Sequence, residues 1–141
     1  MVAMKDYLLM TNEVCIILDN NEMIRTTLME WLKLEFPQVD FYTASSGAEA
    51  MALCKTHSVS LLILDIELPD MNGFDLIEEI KTENLNTKFI MHSLHTDQTY
   101  IETAKFLDVF RFIPKNAANL DLISSVELVF RENRSQAKDE H

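Results

Sequence analysis

The sequence predicts a doubly wound α/β domain: a parallel five-stranded sheet with helices on both faces. Three observations lead there. Short apolar runs at Val14–Leu18 (VCIIL), residues 60–64 (SLLIL) and residues 88–92 (KFIMH) lack period-two alternation, as strands buried on both faces do. Amphipathic helical patterns stand between them, and β–α–β alternation implies right-handed crossovers and parallel pairing. With only 2 Gly and 3 Pro in 141 residues, long irregular loops have little room.

Each element has its own warrant. The first strand, Val14–Leu18, stops at Asp19-Asn20-Asn21. Ile24, Leu28, Trp31, Leu32 and Phe36 then recur at three- and four-residue spacing, and Pro37 closes that helix. Residues 39–43 read as a second strand. Ser45-Ser46-Gly47 supplies capping residues for a helix carrying Ala48, Met51, Ala52 and Cys54. The third strand, residues 60–64, runs straight into Asp65, and IELPDMNG behind it is dense in turn residues. Phe74, Leu76, Ile77 and Ile80 mark a third helix, residues 88–92 a fourth strand and residues 99–106 a fourth helix of weak periodicity. Residues 109–113 make a fifth strand, and Leu120, Ile123, Val126, Leu128, Val129 and Phe130 a fifth helix. The domain is thus expected over residues 14–130, with an N-terminal extension at 1–13 and a polar tail or start of a linker at 131–141.

Charge and composition narrow the function. Twelve Lys and Arg against 23 Asp and Glu give a net charge of −11, which argues against this segment binding nucleic acid, since phosphate neutralisation needs clustered cations. No apolar run approaches a membrane span, and residues 1–13 lack a signal-peptide layout, so the expected compartment is the cytoplasm. Cys15 and Cys54 form no metal or disulfide spacing and read as buried thiols. The 8 Met and Trp31 read as core. His92 and His95 lack a third ligand nearby in sequence, which argues against zinc.

Ligand sites of such sheets lie beyond the carboxyl ends of the strands. Those positions hold Asp19 and Asn20 after the first strand, Asp65 after the third, Ser93 after the fourth and Lys115 after the fifth. Converging carboxylates repel unless a cation sits between them, and hard oxygen ligands with room for water favour Mg²⁺. A hydroxyl and a lysine opposite suit a phosphoryl group. Positioning and charge neutralisation dominate its transfer, and Asp65 is the natural nucleophile.

With these residues in place, the chain resembles a response-regulator receiver domain of two-component signalling. The likeness covers residues 14–130 and rests on ILDN, LLILDIELPDMNGFDLI, FIMHS and FRFIPK. It implies a flavodoxin-like doubly wound (βα)5 sandwich with strand order 2-1-3-4-5. By position, Asp65 resembles the phosphoacceptor, and Asp19 with Asn20 the acidic pair that holds Mg²⁺. Glu67 falls where a backbone carbonyl reaches the metal. Ser93 and Lys115 resemble the hydroxyl and lysine that meet the phosphoryl group, and Phe112 the aromatic switch. Three departures stand out. Asn20 replaces a usual acid, implying weaker Mg²⁺ binding through an amide oxygen; Leu94 replaces a small residue and should narrow access to Asp65; Asn116 replaces the proline frequent after the lysine.

The Lys-Asn-Ala and HSLHTD segments are similar to the NarL/LuxR-type subfamily, whose receivers often precede a DNA-binding domain. Either a fragment of a transcription regulator or a single-domain regulator fits. The resemblance implies no enzyme, but a switch loaded by a histidine kinase or histidine phosphotransfer protein. Ser93 would move toward the phosphoryl group and Phe112 into the space behind it. That would remodel a partner or homodimer surface made by the fourth helix, fifth strand and fifth helix. Two rivals stand beside it: a phosphate-independent pseudo-receiver module, and an Asp-nucleophile phosphohydrolase of the haloacid dehalogenase type. The second places its nucleophile on the first strand, whereas Asp65 follows the third.

Overall fold

A computed structural model of the chain describes residues 13–84 and 86–139, with side chains to residue 135. The expected N-terminal extension therefore lies outside the described residues except for Glu13. Five strands and five helices alternate among those described: β1 Val14–Leu18, α1 Glu22–Glu35, β2 Asp40–Ala44, α2 Gly47–Thr56, β3 Leu61–Leu64, α3 Gly73–Glu83, β4 Lys88–Ser93, α4 Gln98–Phe106, β5 Arg111–Pro114 and α5 Asn119–Asp139. All strand pairs are parallel, in the order β2-β1-β3-β4-β5.

Side chains alternate across a strand, so each strand feeds two cores. Val14, Ile16 and Leu18 of β1, with Leu62, Leu64, Phe89 and Met91, face α2, α3 and α4. Cys15 and Ile17, with Leu61, Ile63, Ile90 and Ile113, face α1 and α5. β1 and β3 are buried at every position, which explains why their sequences read as unbroken apolar runs. On the α1/α5 face, Phe36 and Phe130 meet edge to face at 5.7 Å between ring centroids.

Helix starts follow the capping rules. Asn21 accepts the Ile24 N–H at 3.0 Å, Ser46 the Glu49 N–H at 3.2 Å and Asn72 the Phe74 N–H at 2.8 Å. Phe36 closes α1 just before Pro37.

Most boundaries fall within one residue of expectation, and two differ by more. β5 begins at Arg111 rather than at residue 109, because Asp108 takes a left-handed conformation (φ 59°) and the Val109 N–H returns to the Ala104 carbonyl. That closes α4 and leaves Phe110 as the first residue bonded toward β4, through Phe89. At the other end, residues 131–139 continue α5 as helix, although their polarity suggested a tail or linker. Loss of apolar residues ends the fully buried stripe over residues 131–135, not the helix.

Candidate functional site

Strand alternation brings three charged side chains to one place. Asp19 extends β1, Asp65 extends β3 and Lys115 extends β5 on the parity that faces α1 and α5. Lys115 is set by its own N–H, which donates to the Ser93 carbonyl at 2.9 Å and prolongs the β4–β5 ladder. Its Nζ lies 2.8 Å from Asp19 Oδ2 and donates to Asp65 Oδ2 at 2.7 Å, bridging the two carboxylates. The remaining oxygens are also engaged: Asp19 Oδ1 accepts the Asn21 N–H at 2.9 Å, and Asp65 Oδ1 the Ile66 N–H at 2.7 Å. Arg25 fixes the turn by donating to the Asp19 carbonyl at 2.7 Å.

The electrostatics follow from burial and pairing. Burial is the largest influence on Asp65 and opposes its ionisation. The Lys115 and Ser93 donors, the Lys115 charge and the Ile66 amide outweigh it and hold the carboxyl below its ordinary value. Burial likewise disfavours the Lys115 ammonium, yet Asp19 and Asp65 raise its pKa. Asp65 is thus an anion at neutral pH, shielded and already aligned.

Two carboxylates share one ammonium, leaving excess negative charge in a nearly buried site. Exposed Asn20 stands beside Asp19, and the Glu67 carbonyl follows Asp65 by two residues. The Glu67–Asn72 bridge is built from neighbouring groups, Gly73 N–H to Ile66 O at 2.6 Å and Leu68 N–H to Met71 O at 3.2 Å, without drawing on that carbonyl. Among the described residues no three His, Cys, Asp or Glu side chains converge as a metal cage. Two carboxylates, an amide oxygen, a carbonyl and water fit Mg²⁺, which keeps part of its hydration, better than ions that need a full protein cage.

The other expected residues are distributed around this centre. Ser93 is fully buried, and its Oγ accepts the His95 N–H at 3.0 Å. Phe112 is half-buried on the opposite face of the sheet, packed against the α2–α3–α4 core. Leu94, expected to narrow access to Asp65, is 69% exposed. His95 instead reaches across, its Nε2 lying 3.0 Å from Glu67 Oε1. His92 turns the other way, into an apolar groove of about 310 Å³ between α1 and α5 that also contains Trp31 and Lys115. The two histidines therefore diverge. All described peptide bonds are trans, including Lys115–Asn116.

Sequence reasoning missed two supports. Asp70, inside the turn-rich IELPDMNG, accepts the Gly47 and Ala48 N–H groups at 2.9 Å each and so clamps the loop after β3 to the start of α2. A Cβ on Gly73 would collide with the Asp65 carbonyl oxygen, so this glycine lets α3 start directly against the Asp65 backbone. The Gly in the motif was visible; its contact was not.

The sequence pattern of the response regulator receiver domain matches residues 15–127. The chain belongs to that family. Relatives include a response regulatory protein of Staphylococcus epidermidis, 34% identical over 62% of this chain and 34% of its own length. Transcriptional regulatory protein HptR of Staphylococcus aureus is 32% identical over 77% of this chain and 43% of its own length. Response regulator UvrY of Escherichia coli is 23% identical over 88% and 57%. The receiver thus spans about a third to just over half the length of these curated relatives. Among solved structures, a LuxR-family DNA-binding response regulator from Staphylococcus aureus superposes with a TM-score of 0.76 at 27% identity, covering 84% of this chain and 98% of the other. These likenesses fit the NarL/LuxR type. A signal receiver domain from Vibrio parahaemolyticus, at 20% identity with a TM-score of 0.85 over 93% and 99%, shows the same flavodoxin-like fold. Receiver domains of two-component systems typically take up a phosphoryl group with Mg²⁺ from histidine kinases, and generally signal rather than turn over substrate. No described helix is long and apolar enough to cross a membrane.

Proposed function

We propose that Asp65 is the phosphoacceptor of this receiver. The observation that carries the reading is a shielded carboxylate held ionised by Lys115 at the carboxyl end of the central strand. An Asp65 oxygen bonds the phosphorus of the donor as the bond from phosphorus to the leaving group breaks. The product is an acyl phosphate on Asp65. Lys115 neutralises charge on the transferring group, and Ser93, whose Oγ accepts the His95 N–H while its hydroxyl donates toward Asp65, gives that donor to the group. Asp19, Asn20, Asp65 and the Glu67 carbonyl would hold Mg²⁺, which supplies further charge neutralisation when bound.

The donor is a histidine kinase or a histidine phosphotransfer protein. Movement of Ser93 opens space for Phe112, and the face made by α4, β5 and α5 changes, altering a partner or homodimer contact. By likeness to HptR and UvrY, this receiver would serve as the input domain of a transcription regulator, without contacting nucleic acid through this segment. Its compartment would be the cytoplasm. Asn20, an amide at a usually acidic position, favours a second reading: a receiver-like interaction module that never uses phosphate.

Incubation with a small acyl phosphate, with and without Mg²⁺, followed by intact-mass measurement, decides between them. One Mg²⁺-dependent phosphoryl adduct, absent in Asp65→Asn, is the expected result. No adduct under any condition would overturn the phosphoacceptor reading and favour the second.

A further inference from the structure

The groove between α1 and α5 has no part in the proposed chemistry. It encloses about 310 Å³, at the small end of the range for ligand sites, and Ile24 and Leu28 of α1, Ile113 of β5 and Leu122 of α5 are among its apolar walls. Two half-buried rings also line it, Trp31 from α1 and His92 from β4. Among the described residues, neither the Trp31 indole N–H nor a His92 ring nitrogen has a hydrogen-bond partner, and neither ring has its nitrogens sealed from solvent. Burial and the Lys115 charge lower the His92 pKa, so at pH 7.5 the ring is neutral, one nitrogen a donor and the other an acceptor.

The lining also decides the kind of occupant. Lys115 is the one cation in it, and its ammonium already bridges Asp19 and Asp65, so an anion finds no free counter-charge there. A wholly apolar occupant, such as the face of a helix or the side chains of a second copy, would shut both rings off from water with nothing to bond, which leaves their polar groups desolvated and unpaired. A flat molecule with an acceptor and a donor on its edge meets both rings while its faces lie against the aliphatic walls. We propose that this groove is a binding site for a small, neutral, planar aromatic molecule whose edge carries both an acceptor and a donor. The acceptor takes the Trp31 N–H, and the donor meets the free nitrogen of His92. Because His92 precedes Ser93 and Lys115 forms part of the wall, the occupant lies behind two residues of the phosphoryl site. Binding there does not depend on Asp65 being a phosphoacceptor, and no phosphoryl donor enters the test.

The probe is isoquinolin-1-one, two fused rings with a carbonyl beside an N–H, titrated into the ¹⁵N-labelled chain at pH 7.5. Trp31 is the chain's single Trp, so one indole N–H resonance reports on the groove. The expected result is a saturable shift of that resonance. His92→Leu should weaken Kd about two- to tenfold, the worth of one hydrogen bond, and naphthalene, which lacks the polar edge, should bind more weakly by at least as much. Isoquinoline-1-carboxylate should bind about tenfold more weakly than the neutral probe, since its charge would lose water without gaining a partner. Ala118→Leu and Thr27→Phe fill the groove from exposed positions in its lining and should abolish the shift with the backbone spectrum otherwise preserved. No saturable shift in the parent, unchanged affinity in the filled variants, or naphthalene or the carboxylate binding as tightly as the lactam would overturn the site. An indole resonance that moves with protein concentration alone would overturn it in favour of a second copy in the groove.

Discussion

The two halves of the sheet's carboxyl edge are built differently. Around β1 and β3 every loop is pinned by a side chain: Asn21 and Ser46 cap α1 and α2, Asn72 caps α3, and Asp70 reaches back to the first amides of α2. Around β4 and β5 the fastening is sparse. Asp97 makes no capping bond to α4, that helix fully buries only Ala104, and Phe106 is exposed. Asp19 and Asp65 belong to the pinned half; Ser93, His95 and Phe112 belong to the loose one. Lys115 crosses between them. Segments with few buried contacts and few caps open at low free energy, so one half holds the charges still while the other has freedom to respond.

Breaking the crossing should have the largest effect. Lys115→Met leaves two buried carboxylates without their counter-charge and should cost about 3 kcal/mol in urea unfolding at pH 7. The loss should shrink on acidification, because a protonated Asp needs no partner; an equal loss at pH 7 and pH 4.5 would count against the ammonium as the link. In the parent protein the signs follow from the pairing. Asp65 has a lowered pKa, so its contribution is full above its ordinary value and lost as pH falls through the carboxylate range. Lys115 has a raised one, so its contribution is full below its ordinary value and lost as pH rises through the folded value.

Next comes the rigidity of the pinned half. Gly73→Ala forces a methyl against the Asp65 carbonyl and should destabilise by about 1–3 kcal/mol. Slower loading of Asp65 should accompany it; unchanged stability and loading would mean the backbone there can yield. A direct pairing of the halves uses two Asp residues at helix starts. Asp70→Ala should lower the denaturation midpoint clearly, since it removes two backbone partners, and Asp97→Ala should leave it nearly unchanged. Similar costs would erase the contrast.

The smallest effect is a pH dependence on the α1/α5 side. Burial and then the Lys115 charge lower the His92 pKa, against the pull of Asp19 and Asp65. Its contribution to stability is therefore full above its ordinary value of 6.5 and declines as pH falls below it. His92→Gln should flatten the melting temperature in that interval, and an unchanged slope would exclude His92 as its source.

How much of this was legible in the sequence follows the same division. The buried strands announced themselves, because VCIIL and LLIL serve two cores at once and admit no polar residue. Asp19, Asp65 and Lys115 could be picked out because strand ends converge by topology. What escaped were contacts between residues far apart in the chain and held by loops. Asp70 reads as an ordinary turn residue until its partners, more than twenty positions earlier, come into view. His95 was weighed beside His92 because they are close in sequence, yet its partner is Glu67. The start of β5 depended on one left-handed residue, Asp108, for which composition gave no sign. Cys54 sits between core and surface, and burial with the nearby Glu83 charge raises its thiol to about 11, in keeping with an inert role.

The polar continuation of α5 has a mechanical consequence. Past Phe130, the last wholly buried side chain among those described, the helix extends to Asp139, about 13 Å farther at about 1.5 Å per residue. Such a rod works as a lever arm: a tilt of about 10° at Phe130, small beside ordinary differences in helix packing, swings its far end by about 2 Å. A rearrangement too slight to alter the core is thereby geared up into a displacement of the size of an atom.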